Sequence, residues 1–180
     1  MSAITNTPTN RNFLSPLNFR LVLQRAPSLN FFLQGASIPG LSFEGYVNLT
    51  NPFAKIPLPG DHINYSPLTI SFMVDEDLSN YLEIFNWMLG IAGPTSLDPS
   101  AVQSPYGLDN SITTDPMQAI RSDIKLMILS SAKNPNLEIT FNDAFPSQLG
   151  ELQFNTTAGT INYLESSVTF EYVKYNIAKL

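Results

Sequence analysis

The sequence has few of the residues that carry catalysis. Its 180 residues include no cysteine and a single histidine, His62. The missing cysteines exclude disulfides, thiolate catalysis and cysteine-ligated zinc. A lone histidine in a proline-rich stretch does not indicate a Ser-His-Asp triad, and no glycine-rich phosphate loop is present. We therefore expect a protein that is not an enzyme, with no catalytic residues, no cofactor and no metal site.

Basic residues and long apolar runs are also scarce. Nine Lys and Arg against fifteen Asp and Glu give a net charge of −6, which disfavours wrapping of nucleic acid by phosphate neutralisation. No stretch has the roughly 18 consecutive apolar residues of a membrane span, and residues 1–16 lack the apolar run of a signal peptide. The sequence predicts one domain of ordinary size with no membrane anchor.

One stretch combines a strand with a helix. Between Tyr65 and Val74 apolar residues alternate with polar ones, which is typical of a half-buried strand. The following segment predicts a helix over about residues 76–91, with Asp75 or Asp77 as its cap and with Glu83 and Asn86 facing outward. The predicted core-facing stripe of this helix consists of Leu78, Tyr81, Leu82, Phe85, Met88 and Leu89.

The rest of the chain favours strands and long connections. Alternation predicts further strands over residues 17–25, 31–38, 43–49, 121–130, 137–141 and 160–177, and a short one within 142–154. The first two read as a hairpin joined by a turn, and the strand at 121–130 reads as central. The parity switch after Tyr172 predicts a bulge or a face that becomes buried. The fold class is mainly β: an antiparallel β-sandwich or barrel with one flanking helix.

The predicted domain organisation is simple. Residues 1–16 are polar and predict a flexible N-terminal arm, and residues 17–180 form a single domain with long loops at 50–64 and 92–120. Dense prolines keep the segment 50–64 out of a central strand, so it forms a projecting loop or ribbon. Its apolar side chains either fold back as a satellite cluster or pack on another subunit: Phe53, Ile56, Leu58 and Ile63.

Several segments resemble the tail tube proteins of contractile phages of the T-even type. They are the strand Phe19–Gln24 followed by FFLQGASIPGL, the pair Gly60 and Asp61 before a strand that ends in Val74, Asp75 and Glu76, and the helix with Trp87. The most specific is PSQLGELQFNTT at residues 146–157, because the family carries a similar run before its final strand. Residues 92–120 depart from the family, in which this connection is usually shorter.

This resemblance implies a structural role. It implies hexameric rings that stack into a tail tube, a channel through which DNA passes without specific binding, and tail sheath and baseplate proteins as partners. The protein would then belong to the virion, assembled in the host cytoplasm, with Phe53, Ile56, Leu58 and Ile63 as inter-ring contacts. A baseplate tube-initiator ring is an alternative within the family. A different class of protein, a β-sandwich module that binds a small ligand or carbohydrate at residues 92–120, is the rival interpretation.

Overall fold

The computed structural model describes residues 13–45, 47–50, 53–92, 120–155 and 163–180. Eleven strands and two helices occur in this part of the chain. The strands are β1 (Phe19–Leu23), β2 (Leu33–Ala36), β3 (Leu41–Glu44), β4 (Val47–Thr50), β5 (Lys55–Leu58), β6 (His62–Tyr65), β7 (Leu68–Met73), β8 (Ser122–Leu129), β9 (Pro135–Leu149), β10 (Glu165–Glu171) and β11 (Lys174–Lys179). The helices are α1 (Pro27–Phe31) and α2 (Ser79–Ala92). The predicted class, mainly antiparallel β with a helix, is confirmed.

The main sheet has the strand order β1-β8-β9-β10-β7-β2, and β11 also pairs with β9. All of these pairings are antiparallel. Apolar side chains from the sheet and both helices form one core. Its fully buried large members include Leu21, Leu23, Leu29, Leu68, Ile70, Phe72, Ile84, Ile124, Ile139, Phe141, Val168 and Phe170.

Strand β9 corrects the prediction for residues 142–154. These residues contain no separate short strand after a turn, because β9 continues through them from Pro135 to Leu149. At Asp143 the backbone is left-handed, with φ 56°, and the pairing with β8 shifts register between Ser122 and Ile124. A bulge of this kind bends a strand without ending it. The N-terminal part of β9 pairs with β8 and β11, and its C-terminal part pairs with β10.

The end of β9 contains the glycine of the segment that carries the family resemblance. A Cβ atom on Gly150 would lie 3.0 Å from both the backbone N and O of Ser167, which is tighter than most real contacts of this atom. The Gly150 N–H donates to the Ser167 carbonyl at 2.7 Å. The Tyr81 hydroxyl of α2 donates to the Gly150 carbonyl at 3.2 Å. The glycine thus lets the end of β9 approach β10 closely.

The terminal strand and the first hairpin also differ from expectation. The segment 160–177 contains β10 and the start of β11, which are separated at Tyr172 and Val173 and are both antiparallel to β9. The parity switch therefore marks a break between two strands. The prediction that the first two strands form a hairpin is wrong, because β1 pairs with β8 whereas β2 pairs with β7. Helix α1 lies where a turn was predicted and directs the chain to the other end of the strand order.

Helix α2 buries a different face from the predicted one. Its buried residues are Asn80, Glu83, Ile84 and Trp87, whereas Leu82 is 45% and Phe85 43% exposed. The Trp87 ring lies 5.8 Å from that of Phe170, and its Nε1–H donates to the Ile120 carbonyl at 2.8 Å. Both faces of the helix carry apolar residues at helical spacing, so the period alone does not select between them.

Glu83 has the opposite role from the expected one. It was predicted to face outward, but it is buried, and its two carboxylate oxygens accept from the backbone N–H of Ser28 at 3.1 Å and from the Ser28 hydroxyl at 2.7 Å. Ala26 precedes α1 and offers no side-chain cap. The carboxylate of α2 therefore satisfies the first turn of α1, which is a capping interaction between two helices.

Helix α2 begins at Ser79, three residues later than predicted. The Asp75 carboxylate accepts from the Ser79 N–H at 2.7 Å, so it satisfies one of the free donors at the helix start. Asp77, the other predicted cap, is exposed. The buried Asn80 side chain donates to the Met73 carbonyl at 2.7 Å and ties the helix to the end of β7.

Residues 41–65 form a ribbon that leaves the main sheet. Strands β3 and β6 make one antiparallel pair, and β4 and β5 make a second pair further along the same chain segment. Between the two pairs Gly45 has φ 74°, and a Cβ atom on Gly60 would overlap the carbonyl group of Glu44. The predicted projecting segment 50–64 belongs to this ribbon. Almost all of the predicted loop 92–120 and most of the arm 1–16 lie outside the described residues.

The corrected orientation of α2 predicts a difference between two leucine-sized side chains. Ile84→Ala should lower the free energy of unfolding by about 2–5 kcal/mol, because it leaves a cavity in the core. Leu82→Ala, on the exposed face of the same helix, should cost much less. Urea unfolding followed by circular dichroism measures both values. A larger loss for Leu82→Ala would contradict the observed face.

The glycine at the junction of the ribbon generates a second prediction. Gly60→Ala should disrupt the pairing of β3 with β6, since the new methyl group has no room beside Glu44. Hydrogen exchange should then accelerate in β3 and β6 and stay unchanged in β8. Gly90→Ala is the control: nothing lies within 4 Å of the new atom, and alanine in a helix stabilises by roughly 0.5–1 kcal/mol. Native protection of β6 in the Gly60 variant would refute the steric argument.

Candidate functional site

The inner half of the ribbon, formed by β3 and β6, is amphipathic. Leu41 pairs with Tyr65, and Phe43 pairs with Ile63. The alternate positions are polar: Ser42 faces Asn64, and Glu44 faces His62. On this polar side the Asn64 amide donates to the Glu44 carboxylate at 2.7 Å. Successive residues of a strand point to opposite faces, so the inner half presents an apolar face and a polar face.

The outer half of the ribbon, formed by β4 and β5, repeats the arrangement. Leu49 pairs with Ile56, and the next pair outward is Thr50 with Lys55. Phe53 lies in the connection between the two strands and is 95% exposed. We call the exposed apolar side chains of both halves the apolar ribbon face. It comprises Leu41, Phe43, Leu49, Phe53, Ile56, Leu58 and Ile63.

The structure places all four predicted contact residues on this face. Phe53, Ile56, Leu58 and Ile63 are each at least 43% exposed, so they do not form a buried satellite cluster within the described chain. Leu41, Phe43 and Leu49 join them through strand pairing. The sequence signal for these three was the alternation in residues 41–49, but the pairing with residues 55–65 was not visible in it. Exposed apolar patches of this kind mark interaction surfaces.

Three tyrosines lie at the base of the ribbon. The Tyr172 hydroxyl donates to the Ser66 carbonyl at 2.7 Å, and the Tyr175 hydroxyl donates to the Pro39 carbonyl at 3.2 Å. The ring of Tyr65 lies 6.0 Å from that of Tyr172 and 5.6 Å from that of Tyr175. Burial is the largest of the effects that raise the pKa of Tyr172 to about 12, so its hydroxyl stays protonated and remains a donor even near pH ~10, where an ordinary tyrosine is half ionised.

Several strand edges have no strand partner in the part of the chain that the structure describes. In the main sheet they are the outer edges of β1, β2 and β11 and the C-terminal part of β9, and in the ribbon each of the four strands has a single partner. The Asn30 side chain bonds both the N–H and the carbonyl of Leu23, at 2.9 and 3.2 Å, and so covers one end of the β1 edge. An open cleft of about 310 Å³ lies beside β1 and β2 and is lined in part by Leu17, Phe19, Leu21, Asn30, Leu33 and Gln34.

The described residues offer no arrangement for metal chemistry. No group of three or more His, Asp or Glu side chains among them could hold a metal ion. His62 is exposed on the polar side of the ribbon. Within the same ranges no helix is both long and apolar enough to cross a membrane.

Comparisons with known proteins agree with this geometry. Residues 7–178 match the family described as phage tail tube protein. The chain is 27% identical over 149 residues to the tail tube terminator protein of Enterobacteria phage T4, which covers 81% of this chain and 76% of that protein.

Solved structures from contractile injection systems share the fold. The tube-terminating cap of the anti-feeding prophage has a TM-score of 0.61 at 13% identity, with 100% of both chains covered. A chain of the PVC sheath-tube complex in the extended state has a TM-score of 0.61 at 12% identity, covering 100% of this chain and 99% of that one. The match to nearly the whole sequence settles the assignment: the chain belongs to the phage tail tube protein family and is a structural component of the phage tail, not an enzyme.

Proposed function

We propose that this chain forms a hexameric ring of the tail tube and that this ring lies at the end of the tube. The proposal that rings stack rests on the apolar ribbon face. A subunit that remained alone would expose many apolar side chains to water on one projecting element, and such patches mark interaction surfaces. The likeness over 149 residues to a tail tube terminator supports the terminal position. The sequence had favoured the main tube, with a baseplate tube-initiator ring as the alternative.

Lateral contacts within the ring would use the open strand edges. An unpaired edge is a template for another strand and is normally blocked. Strand β8 has partners on both sides and offers no such edge. Among the described residues strand β11 pairs with β9 alone, and we propose its outer edge as the one that a neighbouring subunit pairs with. The outer edge of β1 would complete the contact, and repetition of this pairing would join the sheets around a channel.

Axial contacts between rings would use the apolar ribbon face. Each apolar side chain buried at an interface contributes on the order of 1.5–3 kcal/mol. Every subunit of a ring presents the same ribbon, so the contribution is multiplied by the number of subunits. A modest contact per chain therefore produces a stable stack.

The net charge fits the proposed channel. A formal charge of −6 per chain makes an assembled ring strongly acidic, and DNA that moves through an acidic ring is not retained by phosphate contacts. Specific binding of DNA is therefore not part of the proposed role.

Partners outside the tube would include the tail sheath and the baseplate. Matched solved structures come from a sheath-tube complex and from a baseplate of related injection systems. The exposed face of α2, with Leu82, Phe85 and Leu89, is our candidate for contacts on the exterior of the ring.

Electron microscopy of the purified protein tests the proposed function. We expect rings that do not grow into long tubes by themselves. When mixed with tubes of the major tube protein of the same phage, these rings should bind at one end and stop further elongation. Long tubes formed by this chain alone would assign it to the main tube instead, and a protein that stays monomeric at high concentration would overturn the ring.

A double substitution tests the role of the ribbon. Phe53→Ser together with Ile56→Ser should leave a folded, soluble subunit whose rings no longer bind to each other or to tubes, since both side chains are exposed in the subunit. Phe31→Ser is a matched control, because Phe31 is 86% exposed on α1, away from the ribbon. Analytical ultracentrifugation measures association, and thermal melting measures folding. A melted double variant would return these residues to the core of the subunit.

A further inference from the structure

We infer that Tyr172 and Tyr175 are positioning residues that fix the direction in which the ribbon leaves the subunit. The inference rests on the proposed stacking role of the ribbon and deepens it. Two chain segments, which we call the legs of the ribbon, connect it to the rest of the domain, and each hydroxyl bonds a different leg. Tyr175 bonds Pro39, just before β3, and Tyr172 bonds Ser66, just after β6. Hydrogen bonds to both legs constrain the angle between the ribbon and the main sheet, whereas a bond to one leg would still allow the ribbon to rotate about that bond.

The rings of the same residues connect the ribbon to the core. Phe141 is fully buried in β9, and its ring lies 5.0 Å from that of Tyr172 and 5.5 Å from that of Tyr175. The two tyrosine rings also contact Tyr65, the last residue of β6. Edge-to-face and tilted pairs at these separations are favourable and directional. The aromatic cluster therefore packs the base of the ribbon against the main sheet and holds it in place.

The backbone at the base is too sparsely bonded to hold the angle alone. The two legs are joined there by the Ser66 N–H, which donates to the Gly40 carbonyl at 3.1 Å. Before β3 the next backbone contact with the main sheet is made by Ser37, whose N–H donates to the Thr69 carbonyl at 3.1 Å, and after β6 it is made by Leu68, which pairs with Phe170. A two-stranded ribbon is only marginally stable without further packing. The tyrosines supply that packing on the side of β11.

The position of Tyr175 gives the arrangement a consequence for assembly. Tyr175 belongs to β11, and the outer edge of β11 is our candidate for the lateral contact. The same residue thus links the lateral edge to the axial ribbon. Ring formation would stiffen β11 and, through the tyrosines, the ribbon. A ribbon held in its docking direction loses less conformational entropy on binding, so pre-organisation increases the affinity between rings.

The experiment removes only the two oxygen atoms. Tyr172→Phe with Tyr175→Phe keeps all rings of the cluster and deletes both hydrogen bonds to the ribbon. The sequence has no cysteine, so His62→Cys on the ribbon and Glu165→Cys on β10 can carry spin labels without other changes. Pulsed electron resonance then measures the distribution of distances between the ribbon and the sheet. We expect a broader distribution in the double variant and at least tenfold weaker binding of its rings to tubes of the major tube protein.

A matched control separates positioning from general stability. Tyr81→Phe also deletes a tyrosine hydroxyl that bonds a backbone carbonyl, that of Gly150, but it lies on α2. We expect this variant to keep the native width of the distance distribution and the native affinity of its rings for tubes. The inference would be overturned if the distance distribution of the double variant kept its native width. It would also be overturned if the distribution became broader while the rings still bound tubes with native affinity. If native rings do not bind to these tubes at all, the proposed function fails, and the distance distribution alone decides whether the tyrosines fix the ribbon.

Discussion

The pairing of β9 along its whole length is the interaction on which the rest of the structure depends. This strand of 15 residues pairs with β8, β10 and β11, so it connects both halves of the main sheet. It contributes Ile139, Phe141 and Ala144 to the core. Strands β10 and β11 follow one another along β9 and both run antiparallel to it, so the break at Tyr172 lies beside the middle of β9, where the Tyr172 ring is 5.0 Å from that of Phe141. The aromatic cluster and the base of the ribbon are thus positioned by β9.

The second constraint is the inward face of α2. A helix with apolar residues all around it can bury only one face, and here the polar partners determine which. Glu83 satisfies the first turn of α1, and Asn80 satisfies the end of β7. Turning the helix to bury Leu82 and Phe85 would expose Trp87 and leave those backbone groups unpaired. The need to pair these polar groups thus decides which of the two apolar faces of α2 is buried, whereas hydrophobic periodicity does not distinguish between them.

The same limit of hydrophobic periodicity explains which parts of the fold could be predicted from the sequence. Alternation located the core strands β1, β7, β8 and β10, because their buried faces are regular: Leu68, Ile70 and Phe72 are all buried as expected. Pairing between distant strands was not predictable, since α1 and the ribbon redirect the chain by geometry that no local pattern encodes. The four predicted contact residues were singled out because prolines marked their segment as outside the core. Their three partners in β3 and β4 needed the observed register.

The ribbon and the open edges are suited to different kinds of contact. Pro57 lies within β5 and Pro59 directly after it, and a proline cannot donate a backbone hydrogen bond. The β5 edge of the ribbon is therefore a poor template for an added strand. Strands β11 and β1 contain no proline, so their backbone groups can pair with a neighbour. Backbone pairing would then close the ring, while apolar side chains on the ribbon would join one ring to the next. A subunit built in this way exposes apolar side chains on a ribbon whose β5 edge is unsuited to strand addition, which lets rings stack through side chains and disfavours addition of the ribbons to one another as sheets along that edge.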